Sequence, residues 1–372
     1  MTGSSPAPRD EDFMAEALAE ADKGRFWASP NPAVGCLVVS GDQVLGRGFT
    51  QPAGQAHAEI MALGDCSSAE GATVYVTLEP CAHQGRTGPC VEALIAAGVA
   101  RVVIAIEDPD PRVAGAGIAR LREAGIAVTV GVGARQAAWQ LAGFLLRMQR
   151  GWGRVRLKLA CSLDGRTAMA SGESQWITGA EARSDVQRLR AASSVILTGI
   201  GTVLADDCSL TVRSAELGLA GDELQRALHR MPDRAVLDSC GRTPAAARIL
   251  QDGAETTVFT AAGYSGPSGA EHKIVAHDDS GLDLRGVLQA LGEAGANEIL
   301  VEAGSTLAGA FMRSGLVDEL VIYQAPVLLG RTAQPLLDVV MEELAEGIQL
   351  AYREVSPLGP DLRIIASLLT GT

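Results

Sequence analysis

Apolar residues in the first 150 positions recur with two spacings, one typical of amphipathic helices and one typical of strands. Helical spacing appears first, between Asp10 and Phe26, and Asn31-Pro32 ends it. Short apolar runs bounded by glycine or polar residues then alternate with further helical segments. The predicted elements that follow are strands at Val34–Val39 and Gln43–Phe49, a helix at His57–Leu63, a strand at Thr73–Leu78, a helix at Cys90–Ala97, a strand at Arg101–Ile106, a helix at Ala116–Ala124 and a strand at Ala127–Val132. This alternation predicts an α/β layer fold with a largely parallel sheet.

A second α/β series begins after residue 150. A helix predicted over Ala134–Arg150 ends at Gly151-Trp152-Gly153, which we interpret as a domain boundary. The strands predicted beyond it are Val155–Cys161, Ser194–Thr198, Arg234–Asp238, Thr256–Thr260, Glu298–Val301 and Glu319–Ala325, and the helices are Glu181–Ala191, Leu284–Glu293 and Thr306–Arg313. Two weakly patterned stretches, Ala215–Pro232 and Ala261–Ser280, are predicted to be surface connections. We therefore expect two domains, 1–150 and 151–372.

Composition and charge limit the class of protein. Hydrophobic residues make up 47% of the 372 positions and charged residues 20%, which is typical of globular proteins. The formal net charge of −13 disfavours a general binder of nucleic acid. No apolar run approaches the roughly 18 residues of a membrane span, and the first twelve residues lack the apolar core of a signal peptide. Seven scattered cysteines argue against a disulfide framework, so a cytoplasmic location is expected.

The strongest chemical signal joins His57-Ala58-Glu59 to two cysteines that each follow a proline, Cys81 and Cys90. One imidazole and two thiolates leave a zinc ion one open coordination position. Water held there becomes acidic enough to react near neutral pH, and Glu59 has the chemistry of a proton shuttle. Residues i and i+2 of an ideal helix point about 200° apart. His57 and Glu59 can therefore face one metal only if His57 lies at the first turn.

The sequence also allows other interpretations of His57, Cys81 and Cys90. The three could be unrelated buried side chains, or they could form a structural zinc site with His83 as a fourth ligand. A structural zinc has no need of the nearby Glu59 carboxylate. A nucleic-acid-editing deaminase is a further alternative, which the acidic charge disfavours. The remaining cysteines are expected to be small buried apolar residues: Cys36, Cys66, Cys161, Cys208 and Cys240.

The second half of the chain lacks a Gly-x-Gly-x-x-Gly sequence after its first predicted strand, so a standard dinucleotide fold is not supported. Two glycine-bearing stretches stand out instead, Gly199–Asp207 after a strand and Val301–Ala310 from a strand into a helix. In the latter, Gly304 permits close approach of the backbone and Ser305 or Thr306 can cap the helix. Its first amides would face an anion. Many strand-to-helix turns share this pattern, so it does not establish a site alone.

The first half of the chain resembles a known family. The sequences Asn31-Pro32-Ala33-Val34-Gly35, His57-Ala58-Glu59 and TLEPCAHQGRT from Thr77 are similar to the deaminase half of the bifunctional deaminase/reductases of riboflavin biosynthesis. The eight-residue gap between the two cysteines also matches, unlike the two-residue gap of cytidine and transfer-RNA deaminases. That family more often has Pro-Pro where this chain has Gly88-Pro89.

The resemblance implies roles for residues of the first half. His57, Cys81 and Cys90 would bind zinc, and Glu59 would be the catalytic proton shuttle. The substrate would be a pyrimidinone that carries an amino group and a ribose phosphate. Arg86 and Thr87 would contact its phosphate or ribose, or else belong to a plain solvated loop.

The second half resembles the reductase half of the same family, which is similar in fold to dihydrofolate reductase. The resemblance rests on Lys158–Ala160, Ser162–Ala168, Ser171–Thr178, Gly201–Asp207, Leu210–Arg213 and Glu302–Ala310. It implies that the NADPH site comprises Ala160, Trp176, Thr202, Asp206, Ser239, Gly304, Ser305, Thr306, Leu307, Ala308, Gly309 and Ala310. It implies that the substrate site comprises Lys158, Ser174, Arg190, Leu210, Arg213 and Glu302. A buried Lys158 would need a polar partner; the alternative is a lysine at a strand end that reaches solvent.

We therefore expect an α/β enzyme with a cytidine-deaminase-like three-layer domain at the N-terminus and a dihydrofolate-reductase-like domain at the C-terminus. The resemblance implies zinc-dependent deamination of a diaminopyrimidinone ribose phosphate, followed by NADPH-dependent reduction of its ribosyl group to ribityl. Local arginines would bind the phosphates, because the whole chain is acidic. The expected partner is this small phosphorylated pyrimidine, with no nucleic acid and no membrane, and a homo-oligomer is expected.

Overall fold

The structure is a computed structural model that describes residues 9–82, 88–110, 114–251, 253–279 and 281–369. The chain divides into two compact units, Met1–Gly151 and Trp152–Thr372. The division falls within the Gly-Trp-Gly sequence that follows the last helix of the first unit. Across the described stretches, no helix is both long and apolar enough to cross a membrane.

A five-stranded mixed sheet organises the first unit, with strand order β2-β1-β3-β4-β5. Its strands are β1 (Gly35–Ser40), β2 (Gln43–Phe49), β3 (Thr73–Val76), β4 (Arg101–Ile104) and β5 (Ala127–Val130). Its helices are α1 (Asp10–Asp22), α2 (Ala58–Gly64), α3 (Cys90–Ala96), α4 (Ala116–Glu123), α5 (Ala134–Gln140) and α6 (Ala142–Arg150). Strand β1 is antiparallel to both neighbours, whereas β3, β4 and β5 are parallel. The sheet is thus mixed rather than largely parallel, since the tight turn at Gly41-Asp42 joins β1 and β2 as a hairpin.

Helices cover both faces of this sheet, because alternate strand residues point to opposite sides. Cys36, Val38 and Val76 belong to a buried cluster with side chains from α2, α3, α4 and α6. Leu37 and Tyr75 belong to a second cluster, with side chains from α1 and α5. The three-layer arrangement expected of the first unit is therefore confirmed.

A nine-stranded sheet organises the second unit, with strand order β11-β10-β9-β8-β14-β6-β15-β18-β17. The strands of this unit are β6 (Arg154–Ser162), β7 (Arg166–Ala168), β8 (Val195–Gly199), β9 (Asp233–Leu237), β10 (Thr256–Thr260), β11 (Glu271–Ile274), β12 (His277–Asp278), β13 (Gly281–Leu282), β14 (Glu298–Glu302), β15 (Glu319–Ala325), β16 (Gln334–Pro335), β17 (Leu350–Leu358) and β18 (Asp361–Leu368). The helices are α7 (Ala180–Ala191), α8 (Ile200–Asp206), α9 (Gly221–Leu228), α10 (Leu284–Glu293) and α11 (Ser305–Arg313). The run from β11 to β15 is parallel, and β18 and β17 add an antiparallel hairpin.

The parallel part of this sheet positions the chemistry of the second unit. Leu157, Leu197 and Val301 pack on one face with side chains of α10 and α11. Ile196 and Leu300 pack on the other face with side chains of α8. Parallel strands present their carboxyl ends along one edge of a sheet, and ligands of open α/β sheets bind there. Glu302, Gly199 and Ser239 lie at or just beyond three of these ends.

Several sequence predictions need correction. The single helix predicted over Ala134–Arg150 is two helices, since Leu141 has non-helical torsion angles and separates α5 from α6. The stretch Ala215–Pro232 contains helix α9, and Ala261–Ser280 contains strands β11 and β12. The C-terminal hairpin of β17 and β18 lies in a part of the chain for which no element was predicted. The first helix ends at Asp22 instead of Phe26.

Candidate active sites

Three potential metal ligands of the first unit converge at the ends of two helices. His57 precedes α2 with extended torsion angles, and Cys90 is the first residue of α3. Cys81 lies shortly after β3, and its Sγ accepts a hydrogen bond from the Cys90 amide at 3.4 Å. His57 Nδ1 and the two Sγ atoms all lie within 4.8 Å of one another. His57 thus lies just before the first turn of α2. From there its side chain and that of Glu59 can face the same metal ion.

The distances between these atoms fit a tetrahedral zinc ion. His57 Nδ1 lies 3.7 Å from Cys81 Sγ and 3.3 Å from Cys90 Sγ. Zinc–sulfur and zinc–nitrogen bonds of about 2.3 and 2.0–2.1 Å at tetrahedral angles separate nitrogen from sulfur by about 3.6 Å. The two measured distances bracket this value. Hydrogen bonds with Cys90 and His57 lower the pKa of the Cys81 thiol, which favours the thiolate form that a metal ligand needs, whereas the contact with Cys81 and burial raise the pKa of Cys90.

Glu59 is buried beside this cluster, with only 4% of its surface exposed. Burial raises the pKa of its carboxyl to about 7, and the nearby Cys81 adds to the effect. A carboxyl group that titrates near neutral pH can both accept and release a proton during a reaction. Its position in the first turn of α2 places it next to the ligand set without making it one of the three ligands.

A second buried carboxylate, Glu79, supports the segment between β3 and Cys81. Glu79 accepts backbone hydrogen bonds from Asp108 at 3.2 Å, Gly115 at 3.0 Å and Ile118 at 3.1 Å. In the sequence Glu79 stands out only as part of a motif, because its three donors are distant in the chain. His83, Arg86 and Thr87 lie outside the described residues. The site therefore stands on the three ligands and Glu59.

The other cysteines do not form one class. Cys36 and Cys161 are buried, as expected of small apolar side chains. Cys66 and Cys208 are partly exposed, and Cys240 is exposed on the turn after β9. The expectation of burial is therefore wrong for Cys240 and too strong for Cys66 and Cys208.

A cavity of about 1830 Å³ opens at the carboxyl ends of the parallel strands in the second unit. Sites for single small ligands typically measure about 300–1,000 Å³, so this cavity has room for a dinucleotide and a second molecule. It brings together all of the residues predicted for the substrate: Lys158, Ser174, Arg190, Leu210, Arg213 and Glu302. It also contains most of the residues predicted for NADPH: Ala160, Trp176, Thr202, Asp206, Ser239, Gly304, Ser305, Thr306, Leu307 and Ala310.

Two residues predicted for NADPH do not line the cavity. Ala308 is fully buried in the core of the second unit, because it lies on the inner face of α11. Gly309 faces a neighbouring loop, where an added methyl group would lie 2.5 Å from the carbonyl oxygen of Asp338. The part of this stretch that borders the cavity is therefore the first turn of α11 together with Ala310.

A buried ion cluster lies in the wall of this cavity. Arg190 binds Glu302 through two nitrogens, Nε to Oε1 at 2.6 Å and Nη2 to Oε2 at 3.0 Å. Lys158 Nζ lies 3.7 Å from Glu302 Oε2, so the lysine has a polar partner and does not reach solvent alone. Burial opposes the charge of Glu302, but Arg190 and Lys158 outweigh it and hold the pKa of the carboxyl at about 2. Burial lowers the pKa of Lys158, while Glu302 opposes that shift.

Two helices begin at the cavity. The first helical hydrogen bond of α11 runs from the Ala308 amide to the Gly304 carbonyl at 3.0 Å. The amides of Ser305, Thr306 and Leu307 precede it and so have no partner within the helix. Helix α8 likewise begins after Gly199 at the end of β8. Neutral amides and the helix dipole attract phosphate groups, so this edge of the cavity suits the pyrophosphate of a dinucleotide.

Two further residues of the cavity wall were missed by sequence reasoning. Arg183 stacks on Trp176, with the guanidinium carbon 4.8 Å from the ring centroid. Gln187 is fully buried on α7 and accepts a hydrogen bond from the Arg213 amide at 2.9 Å. Both residues belong to α7 and are four positions apart. This spacing places two side chains on the same face of a helix, so it was the sequence signal that could have grouped them.

Comparisons with protein families assign a class to each unit. The family model described as "Cytidine and deoxycytidylate deaminase zinc-binding region" matches residues 7–106. The family model described as "RibD C-terminal domain" matches residues 154–363, more than half of the chain. With the two folds, these matches define an enzyme that joins a zinc-dependent deaminase to a reductase.

Full-length relatives identify the family. The chain is 48% identical to the "Riboflavin biosynthesis protein RibD" of Escherichia coli over 95% of its length and 98% of that protein. The structure matches RibD of Acinetobacter baumannii with a TM-score of 0.89 at 42% identity, covering 97% of this chain and 99% of that one. A deaminase/reductase from Thermotoga maritima matches with a TM-score of 0.86 at 30% identity and the same coverage. The chain therefore belongs to the RibD family of bifunctional riboflavin biosynthesis proteins.

Membership confirms the predicted fold class, the two enzyme activities and the two cofactors. Zinc and NADPH are the cofactors of the deaminase and reductase domains of this family. The nitrogen and sulfur donors of the first unit fit zinc. The cavity of the second unit is large enough for a dinucleotide, and two helices begin at its edge, where they can bind phosphate.

Proposed function

We propose that residues 1–150 deaminate a diaminopyrimidinone ribose phosphate and that residues 151–372 reduce the ribosyl group of the product. The Thermotoga relative is described as a diaminohydroxyphosphoribosylaminopyrimidine deaminase and 5-amino-6-(5-phosphoribosylamino)uracil reductase. The observation that carries the proposal is the convergence of His57, Cys81 and Cys90 beside buried Glu59, in a chain with a separate dinucleotide-sized cavity.

In the deaminase, His57, Cys81 and Cys90 would hold the metal, and Glu59 would move protons. Zinc bound there would supply an activated water at near-neutral pH. Glu59 accepts a proton when water attacks the ring carbon and returns one to the departing amino group, which leaves as ammonia. Its burial beside the ligand set places the carboxyl group where it can take up and release a proton. A cavity of about 440 Å³ is lined by residues that flank two of these ligands in sequence, among them Ala56 and Pro89.

In the reductase, NADPH supplies a hydride, and the chain places the sugar carbon to receive it. We assign to the cofactor those predicted NADPH residues that line the cavity. NADPH would then lie along the first turns of α8 and α11 and near Trp176. Lys158, Arg190 and Glu302 line the cavity as one cluster, and we assign it to the ribosyl group. Opening the sugar ring leaves an oxygen that needs a proton, and the ammonium of Lys158, whose pKa burial lowers, is a suitable donor. Arg213 is assigned to the phosphate, because its guanidinium is half-exposed at the cavity wall.

Product identification tests the whole proposal. The purified protein is supplied with the diaminopyrimidinone ribose phosphate, first without and then with NADPH, and the products are identified by mass. Deamination alone is expected without NADPH, and the ribityl product is expected with it. Failure to release ammonia, or reduction without NADPH, would contradict the assignment of the two units.

We also propose that the enzyme is a cytoplasmic homo-oligomer. All seven cysteines are free, which supports a reducing compartment. Strand β17 is at the edge of the nine-stranded sheet and exposes Tyr352 and Val355, which supports self-association there. Sedimentation of the purified protein would measure the number of chains, and a single chain at micromolar concentration would refute the oligomer.

A further inference from the structure

Gln187 lies in the wall of the reductase cavity with no exposed surface, and none of the roles assigned above uses its side chain. We propose that Gln187 is a positioning residue that holds Arg213 in place for the substrate phosphate. This inference rests on the proposed function, which assigns Arg213 to that phosphate. It concerns the specificity of the reductase for a phosphorylated substrate.

One atom of the Gln187 side-chain amide, the oxygen Oε1, makes a hydrogen bond within the fold. Oε1 accepts the backbone N–H of Arg213 at 2.9 Å. Only an acceptor can meet an N–H donor, so this contact fixes the orientation of the side-chain amide. Nε2 is buried and has no hydrogen-bond partner among the described residues. An unpaired buried donor costs free energy, so the favourable contribution of this side chain comes from its acceptor.

The segment that Gln187 holds has an unusual backbone. Leu210 has a φ of 51°, a left-handed conformation that a leucine keeps only when surrounding contacts impose it. Helix α7 supplies two such contacts from neighbouring turns. Gln187 binds the amide of Arg213, and Arg190 donates from Nη1 to the Thr211 carbonyl at 3.1 Å. Residues three apart on a helix share a face, so the two side chains act on the same short segment.

The backbone contact matters because the Arg213 side chain is otherwise weakly held. Its guanidinium lies 3.1 Å from Glu216, and both side chains are more than a third exposed. Exposed ion pairs restrict their partners little. The bond to the buried Gln187 side chain therefore determines where the Arg213 side chain leaves the main chain. Loss of that bond should let Arg213 drift from the phosphate without disturbing Lys158, Glu302 or the cofactor.

The same helix offers a matched control. Arg188 donates from Nε to the Leu217 carbonyl at 2.8 Å, so it also fastens α7 to the connection that follows Arg213. Arg188 is absent from the residues that line the cavity in the described part of the chain. A variant of Arg188 therefore loosens this connection without removing the anchor of Arg213.

The experiment compares two reductase substrates, the deaminated ribosylaminouracil with its phosphate and the same compound without it. For Gln187→Met, we expect KM for the phosphorylated substrate to rise about tenfold, the effect of one lost anchoring hydrogen bond, with kcat within about threefold. KM for the unphosphorylated compound and NADPH affinity should not change. Gln187→Asn withdraws the carbonyl by one methylene and should show the same selective rise, which covers the case that the methionine variant folds poorly. Arg188→Met should alter neither KM.

The possible results separate this inference from the proposed function. Arg213→Ala should abolish the preference for the phosphorylated compound, and Gln187→Met should then add nothing in that background. If Arg213→Ala keeps the preference, the phosphate assignment itself is wrong. If Arg213→Ala abolishes it but both Gln187 variants keep it, only the inference about Gln187 is overturned. An equal rise in KM for both substrates, or the same effect in Arg188→Met, would also overturn it.

Discussion

Replacing Gly304 with aspartate would test the phosphate site at the start of α11. Gly304 precedes this helix with φ −70° and ψ 173°, values that any residue adopts. A Cβ atom there would meet nothing within 4 Å. Aspartate is also a favoured residue before a helix. We therefore expect Gly304→Asp to fold normally, so that any loss of cofactor binding reports on the site.

The expected loss follows from competition for the same donors. The amides of Ser305, Thr306 and Leu307 precede the first helical hydrogen bond and would receive the pyrophosphate of NADPH. A carboxylate at position 304 would accept hydrogen bonds from these amides and repel the phosphates. Lost charge-assisted hydrogen bonds and repulsion together should cost about 2–4 kcal/mol, or roughly 30- to 1000-fold in NADPH affinity.

Titration of NADPH by fluorescence measures this loss, and circular dichroism checks the fold. Gly304→Ser is the matched control, because serine caps a helix similarly but adds no charge. It should bind NADPH within a few-fold of the original protein, and ammonia release should be normal in both variants. Unchanged NADPH affinity in folded Gly304→Asp would refute the reasoning and move the phosphate site to the start of α8.

Four further predictions concern the zinc site and the buried ion cluster. Cys81→Ser should lose zinc and deaminase activity together, measured by metal analysis and ammonia release; full zinc content with full activity would contradict the ligand assignment. Glu59→Gln should lower deamination by about 10²- to 10⁴-fold while keeping zinc and the reduction of a deaminated substrate, whereas equal loss of both activities would contradict two separate sites. Glu302→Gln should destabilise the second unit by about 3–5 kcal/mol, because Lys158 and Arg190 lose their buried counter-charge; calorimetry that finds an unchanged transition would refute this. Since the pKa of Glu302 is held at about 2, the contribution of its charge should persist at neutral pH and be lost only as the pH falls from about 4.5 towards 2.

Much of the fold could be predicted because many of its strands show either alternating apolar and polar residues or a continuous run of apolar residues, over four to nine positions. The predicted strand at Thr256–Thr260 and helix at Leu284–Glu293 match the structure residue for residue. Helix α9 was missed because its stretch is polar and its single buried residue is Ala227. Strands β17 and β18 were missed because β17 is largely exposed at the sheet edge, so its residues lack a clear apolar alternation. The break at Leu141 has no glycine or proline at that position to announce it.

The candidate sites were predictable to different degrees for a physical reason. The proposed zinc ligands and Glu59 belong to short motifs whose chemistry is visible in the residue types. The turn at Gly304, which we propose binds phosphate, is not distinctive, since many strand-to-helix turns share its composition. The contacts of Glu79 and Gln187 join residues 26 or more positions apart, and no local pattern records such pairs. Sequence thus identifies the reacting groups more readily than the groups that hold them.

The reductase cavity shows how a chain with a net charge of −13 can receive anionic ligands. Lys158 and Arg190 share the single carboxylate of Glu302, so only one of the two charges is neutralised. Burial lowers the pKa of Lys158, which makes its charge the less favourable of the two before a ligand binds. An anionic ligand in the cavity raises that pKa again, because a nearby negative charge favours the ammonium. Binding of the phosphorylated substrate would therefore favour the ammonium form of Lys158, which we propose as the proton donor, so that the acidic surface and the basic site do not conflict.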